Sequence, residues 1–215
     1  MKILLAVSLT LLLSTMPALA SELTVTVVLN GQHTPVADAV VYLNKDSVTT
    51  PITTEIYQKD RAFHPHVLII PVGSYVEFPN RDNTQHHVYS FSPAKTFDIE
   101  LYAGMPKTPI LFDQPGIVEL GCNIHDHMQA FVVVTRTDVI GRTDTNGQVV
   151  LPMDTTDSPD NYITLNIWHP RLPDNTKPVT RTIDVRNPAD IRIDLAPEQA
   201  TDDSMELLQK RFRNL

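Results

Sequence analysis

From residue 23 to residue 195 the chain is built of short apolar runs, each too brief for a helix and each closed by turn residues. Leu23, Val25, Val27 and Leu29 alternate with polar neighbours, Ala39 to Leu43 is a solid apolar block, and Val67 to Ile70, Ser74 to Phe78, Ile117 to Leu120 and Ala130 to Val134 continue the series. Period-2 alternation in runs of this length specifies half-buried strands, and the solid runs specify strands buried on both faces. Asn30-Gly31, Pro71-Val72-Gly73, Pro79-Asn80-Arg81-Asp82, Pro115-Gly116 and Asn146-Gly147 separate them, because Gly and Asn accept positive φ and Pro fixes its own. Many strands at short spacing predict an all-β chain of sandwich type. With 42% hydrophobic residues and 20% charged, 215 residues suffice for one or two such cores.

The two ends read differently. Met1-Lys2, the apolar run Ile3 to Leu13 and Ala18-Leu19-Ala20 have the layout of a cleaved export signal, with cleavage expected before Ser21. The rival is an uncleaved anchor, but the run falls short of the roughly 20 residues that span a bilayer. The expected location is therefore the periplasm, with no membrane span after cleavage. At the other end Ser204 to Arg213 brings Met205, Leu207, Leu208 and Phe212 to one side as a short helix, or stands as a solvated tail.

A formal net charge of −8 argues against nucleic-acid binding, which needs clustered Lys and Arg. One cysteine excludes an intrachain disulfide framework. In an oxidising compartment an exposed thiol is a liability, so something should occupy Cys122. Cys122, His125 and Met128 stand at CxxHxxM spacing in a short loop between two apolar strands, and His86-His87 opens another strand upstream. A thiolate, two imidazoles and a weak thioether suit copper, with His₂Cys plus a long axial Met as the blue-copper arrangement. Coordination also removes the thiol from disulfide exchange. Structural zinc would collect four Cys and His ligands and leave the thioether without purpose. An Fe–S cluster needs more thiolates. A c-type haem needs a second Cys, and a Cys–His nucleophile lacks an orienting third group. Strand alternation does not choose between His86, which shares a face with Val88, and His87, which shares the other with Tyr89 and Phe91.

The stretch from Phe63-His64-Pro65-His66 through Val67–Ile70, Pro71-Val72-Gly73 and Phe78-Pro79-Asn80-Arg81-Asp82, then His86-His87-Val88, Phe112-Asp113-Gln114-Pro115-Gly116 and Cys122-Asn123-Ile124-His125-Asp126-His127-Met128, resembles the cupredoxins of the plastocyanin and amicyanin group, of the kind labelled methylamine-utilisation proteins. It covers residues 55–136, and the Cys-to-Met spacing is the short form of amicyanin. The resemblance implies one type 1 copper site held by His86, Cys122, His125 and Met128. It puts His87 where Asn is usual, and Asp126 and His127 where Pro or an aromatic is common. These departing residues either face solvent, or His87 and His127 add donors near the copper and open it to exchange. His33, His64, His66 and His169 lack comparable spacing and are read as surface or packing residues.

Residues 23–43, with Asn30-Gly31 turning into Ala39–Leu43, resemble the opening hairpin of the carboxypeptidase regulatory-like, or transthyretin-like, sandwich, and Thr143-Asp144-Thr145-Asn146-Gly147 resembles its Thr-Asp-x-x-Gly hairpin. The expectation is a cupredoxin Greek-key sandwich at 55–136 set into a loop of a second small sandwich formed by 21–54 and 137–197, with residues 1–20 as signal and 198–215 as tail. The competing layout gives the N-terminal strands to the cupredoxin and leaves a separate domain from about 138. Function is expected to be non-enzymatic. One reading is an exported electron carrier working through the edge of His125 with a c-type cytochrome or a copper or redox enzyme. The other is a non-redox module for copper capture, storage or delivery. The acidic surface suits a basic partner, and solubility explains it equally.

Overall fold

The computed structural model describes residues 21–153, 158 and 160–197. The export signal expected at 1–20 and the short helix or solvated tail expected at 204–213 lie outside the described residues. Every regular element among the described residues is a strand, as the alternation requires.

The first alternating run becomes β1 (Ser21–Leu29), with Leu23, Val25 and Val27 buried and Glu22 and Thr24 exposed. It pairs antiparallel with β14 (Gln148–Met153), Leu23 opposite Leu151 and Val25 opposite Val149, and parallel with β17 (Ile191–Ile193). A second sheet runs in the order β13 (Ile140–Arg142), β2 (Val40–Leu43), β15 (Tyr162–Trp168), β16 (Val179–Asp184). The apolar faces of these two sheets enclose a core that includes Val25, Val41, Leu151, Leu165, Ile167 and Trp168. The turn into β14 is fixed by side chains: Asp144 Oδ1 accepts from the amides of Asn146 at 2.8 Å and Gln148 at 2.9 Å. Gly147 has φ +71°, and a Cβ there would sit 2.4 Å from the Val27 carbonyl oxygen, so only glycine lets this hairpin lie on β1. Thr143 Oγ1 donates to Val36 O at 2.7 Å and accepts from Ala39 N at 2.9 Å, tying the segment before β2 to the one before β14.

Residues 53–135 form the other half. A five-stranded sheet has the order β6 (Val67–Pro71), β12 (Gln129–Thr135), β11 (Gly116–Gly121), β8 (His86–Ser92), β9 (Lys95–Tyr102). A three-stranded sheet has the order β10 (Ile110–Phe112), β7 (Ser74–Glu77), β3 (Thr53–Glu55), and the hairpin of β4 (Tyr57–Lys59) with β5 (Ala62–His64) completes this half. Between these sheets lies a second core that includes Phe78, Val88, Phe112, Leu120, Cys122 and Met128.

Within the five-stranded sheet β12 is buried on both faces, which is why Ala130–Val134 is apolar without alternation. Ala130, Val132 and Val134 enter the second core, whereas Phe131 and Val133, with Val67 and Ile117 from neighbouring strands, enter the first. Phe131 meets Trp168 edge to face, ring centres 5.1 Å apart, and Arg142 Nη2 donates to Val67 O at 2.9 Å across the same junction. Burying a side chain of Phe or Val size stabilises by about 1.5–3 kcal/mol, so the junction is a substantial share of the fold's stability.

Candidate metal centre

Two elements bring the site together. β11 and β12 pair antiparallel as far as Gly121 opposite Gln129, leaving residues 122–128 as the connecting loop, which the amide of Met128 closes by donating to His125 O at 2.9 Å. β8 lies beside β11, with Tyr89 opposite Gly121, so its first residue, His86, comes alongside the loop. His86 and Val88, two residues apart on β8, both face inward, as alternation requires. His86 is 0% exposed, Met128 2% and Cys122 3%, whereas His125 is only half-buried.

The donor atoms converge. Nδ1 of His86 and Nδ1 of His125 each stand 3.8 Å from Cys122 Sγ, and one ligand atom from each of the three residues lies within 4.8 Å of the others. Two bonds of about 2.0 and 2.3 Å, the lengths of metal–imidazole and metal–thiolate bonds, separate N from S by about 3.7 Å when they meet at 120°. The donor set therefore fits a trigonal copper ion, and Met128, buried in the same core as Cys122, brings a soft thioether to that core.

The surroundings orient these donors. His86 Nε2 donates to Asp82 Oδ2 at 2.8 Å. The same carboxylate accepts from the amides of Asp60 at 2.7 Å and Arg61 at 3.0 Å. Burial pushes the Asp82 carboxyl up, but the Arg61 amide, the His86 ring and the Asp60 amide outweigh it and hold the group below its ordinary value. Asn80 braces the loop, its Oδ1 accepting from Asp82 N at 2.9 Å and its Nδ2 donating to Thr84 O at 2.8 Å and Tyr102 O at 3.1 Å. The Tyr102 hydroxyl lies 2.6 Å from Phe78 O and 2.7 Å from Gln58 Oε1, and burial raises its pKa. His125 is shifted below the ordinary imidazole value, first by lost hydration and then by His86, Arg61 and His127, with Asp82 opposing. A neutral imidazole is the form that binds metal.

The remaining histidines separate from the cluster. His87 takes the opposite face of β8, hydrogen-bonded to Asp98 and 5.7 Å from the Tyr89 ring. Asp126 and His127 are exposed in the loop, the His127 ring 6.1 Å from that of His125. His64 stacks on Tyr57, His66 edges Phe131, His169 Nδ1 accepts from Arg171 N at 3.1 Å, and His33 is exposed. Sequence reasoning missed Asp82 and Asn80, treating them as turn formers. The spacing of Asp82 four residues before His86 was the available signal, but only the fold brings residues 60 and 61 onto the same carboxylate.

No family model matches the sequence, and no curated protein matches it. Solved structures similar to this chain are cupredoxins and a copper enzyme. A copper-containing nitrite reductase from Thermus scotoductus is 23% identical over 43% of this chain, with TM-score 0.36, and the chain spans 26% of its length. A purple cupredoxin from Nitrosopumilus maritimus is 21% identical over 38% of this chain and 99% of its own, with TM-score 0.34. An amicyanin from Paracoccus versutus is 16% identical over 44% of this chain and 97% of its own, with TM-score 0.34.

Proposed function

We propose that the chain is an exported electron carrier in which His86, Cys122, His125 and Met128 hold one type 1 copper. The domain at 55–136 is then a cupredoxin set into a flanking sandwich of 21–54 and 137–197. The observation that carries the reading is the placing of two imidazole nitrogens at 3.8 Å from one buried sulfur, beside a strand, β12, packed on both faces. Bound there, copper would supply a one-electron couple. The pairing of β1 and β2 with strands that follow residue 137 supports the domain layout.

The chain's own residues do the rest. Cys122, His86 and Met128 come from buried positions and keep water from the metal, and packed strands allow them little movement between oxidation states. Of the four, His125 alone reaches partial exposure, beside Ile124, a residue 47% exposed, which makes its outer edge the port for electrons. The occupant of that face is proposed to be a c-type cytochrome or a copper or redox enzyme, bound briefly over a small area.

Reconstitution with Cu(II) tests the reading. An intense thiolate-to-copper charge-transfer colour, bleached and restored by one-electron reductant and oxidant, is the expected result. A colourless, readily exchanged Cu(I) site would overturn the electron-carrier role in favour of copper capture or delivery.

A further inference from the structure

Resting on the copper reading above, we propose that Asp82 is the positioning residue of the centre: its carboxylate holds His86 in one tautomer, aims Nδ1 at the Cys122 side, and favours the oxidised metal through its buried negative charge. The side chains of His86 and Asp82 are 0% and 10% exposed, and their contact is 2.8 Å. A carboxylate carrying negative charge offers only lone pairs, so the nitrogen facing it must bear the ring proton and the other nitrogen must present its lone pair. That other nitrogen, Nδ1, is the one 3.8 Å from Cys122 Sγ.

The carboxylate is itself held from two directions. Asp60 and Arg61 both adopt φ of 54°, unusual for residues with a side chain, and this brings two successive amides onto the Asp82 oxygens. Asn80 fixes the Asp82 amide from behind. Asp82 is thus a rigid post, built from loops 60–61 and 80–82, against which the His86 ring rests. A backbone carbonyl would set the same tautomer, but a carboxylate adds a negative charge, on a part-buried side chain in direct contact with a fully buried ring. Reduction adds one electron to the metal, while the Nε2 proton stays on the ring and no bond at Asp82 breaks. The negative charge therefore stabilises the more positive oxidation state and lowers the reduction potential.

The test pairs a metal-free measurement with a metal-bound one. In the metal-free wild-type protein at pH 8, long-range proton–nitrogen NMR should show His86 protonated at Nε2, with a slowly exchanging proton. An Nδ1-protonated ring would overturn the proposal. In the copper-loaded protein, Asp82→Asn keeps an acceptor for His86 while removing the charge, and it should retain the colour with an upward shift in potential. Asp82→Ala should shift the potential the same way and lose copper faster to a chelator. Folded, coloured variants with unchanged or lowered potential would overturn the proposal and reduce Asp82 to a brace for the 60–61 turn. Should Asp82→Ala fail to fold, the Asn variant still decides. A wild-type protein that stays colourless with copper breaks the electron-carrier reading instead, and the NMR result then judges the positioning role by itself.

Discussion

The two cores of this chain are made from the same kind of strand and solve different problems. The core between β14-β1-β17 and β13-β2-β15-β16 is apolar and is filled by Trp168, Leu165, Ile167 and Leu151. The core of residues 53–135 places Cys122, Met128 and the ring of His86 among its apolar residues at one end, with Asp82 and Asn80 close behind them. What separates them is one sheet that belongs to both. The comparison teaches that the metal end is kept still from outside: Phe131 and Val133 grip the flanking core, while Ala130 and Val132 in the same strand line the copper-side core.

Removing the metal donors breaks the comparison most severely. Cys122→Ser should abolish the charge-transfer colour altogether while far-UV circular dichroism stays that of a β protein, because both cores persist without the sulfur. His86→Ala should likewise lose the colour, whereas His87→Ala should keep it, since His87 faces Asp98 on the other side of β8. Equal loss in both variants, read by absorption spectroscopy, would mean that the faces of β8 are not distinct.

Next in size is the junction. Phe131→Ala should cost about 3–5 kcal/mol of unfolding free energy in a denaturant titration, the usual loss for a buried Phe. Because the sheet is shared, tryptophan emission from Trp168 and copper-site absorbance should be lost in one transition. Two separate transitions would show that the cores are independent after all.

The smallest expected effect is that of pH on the flanking half. Burial, with the Arg171 charge, lowers His169 from 6.5 to about 4, while Asp38 opposes and His66 adds to the lowering. Between those two values the unfolded chain binds more protons than the folded one, so stability falls as pH drops from about 6.5 towards 4. His169→Gln should flatten that slope in thermal melts, and an unchanged slope would remove His169 from the account.

Much of this was legible because local chemistry decided it. The alternation at Leu23, Val25 and Val27 has one physical solution, and the Asn146-Gly147 turn lies where Gly147 must have no side chain. The spacing of Cys122, His125 and Met128 fits within one short loop, so proximity followed from sequence. The choice between His86 and His87 did not follow from alternation, because it depends on which face of β8 meets the Cys122 loop. Asp82 was illegible for a similar reason: its role arises where residues 60–61 and 82–86 meet. The solid run Ala130–Val134 announced burial on both faces but not what covered them.

β12 carries that burial to a further consequence. Its odd and even positions answer to two different neighbours, so the strand holds two interleaved instructions. A slip of one residue against β11 or β6 would drive Phe131 into the place of a valine and leave Trp168 facing a small side chain, faults in both halves at once. The register of the strand that leaves the loop at Gln129 is therefore proofread by a core that never touches the metal.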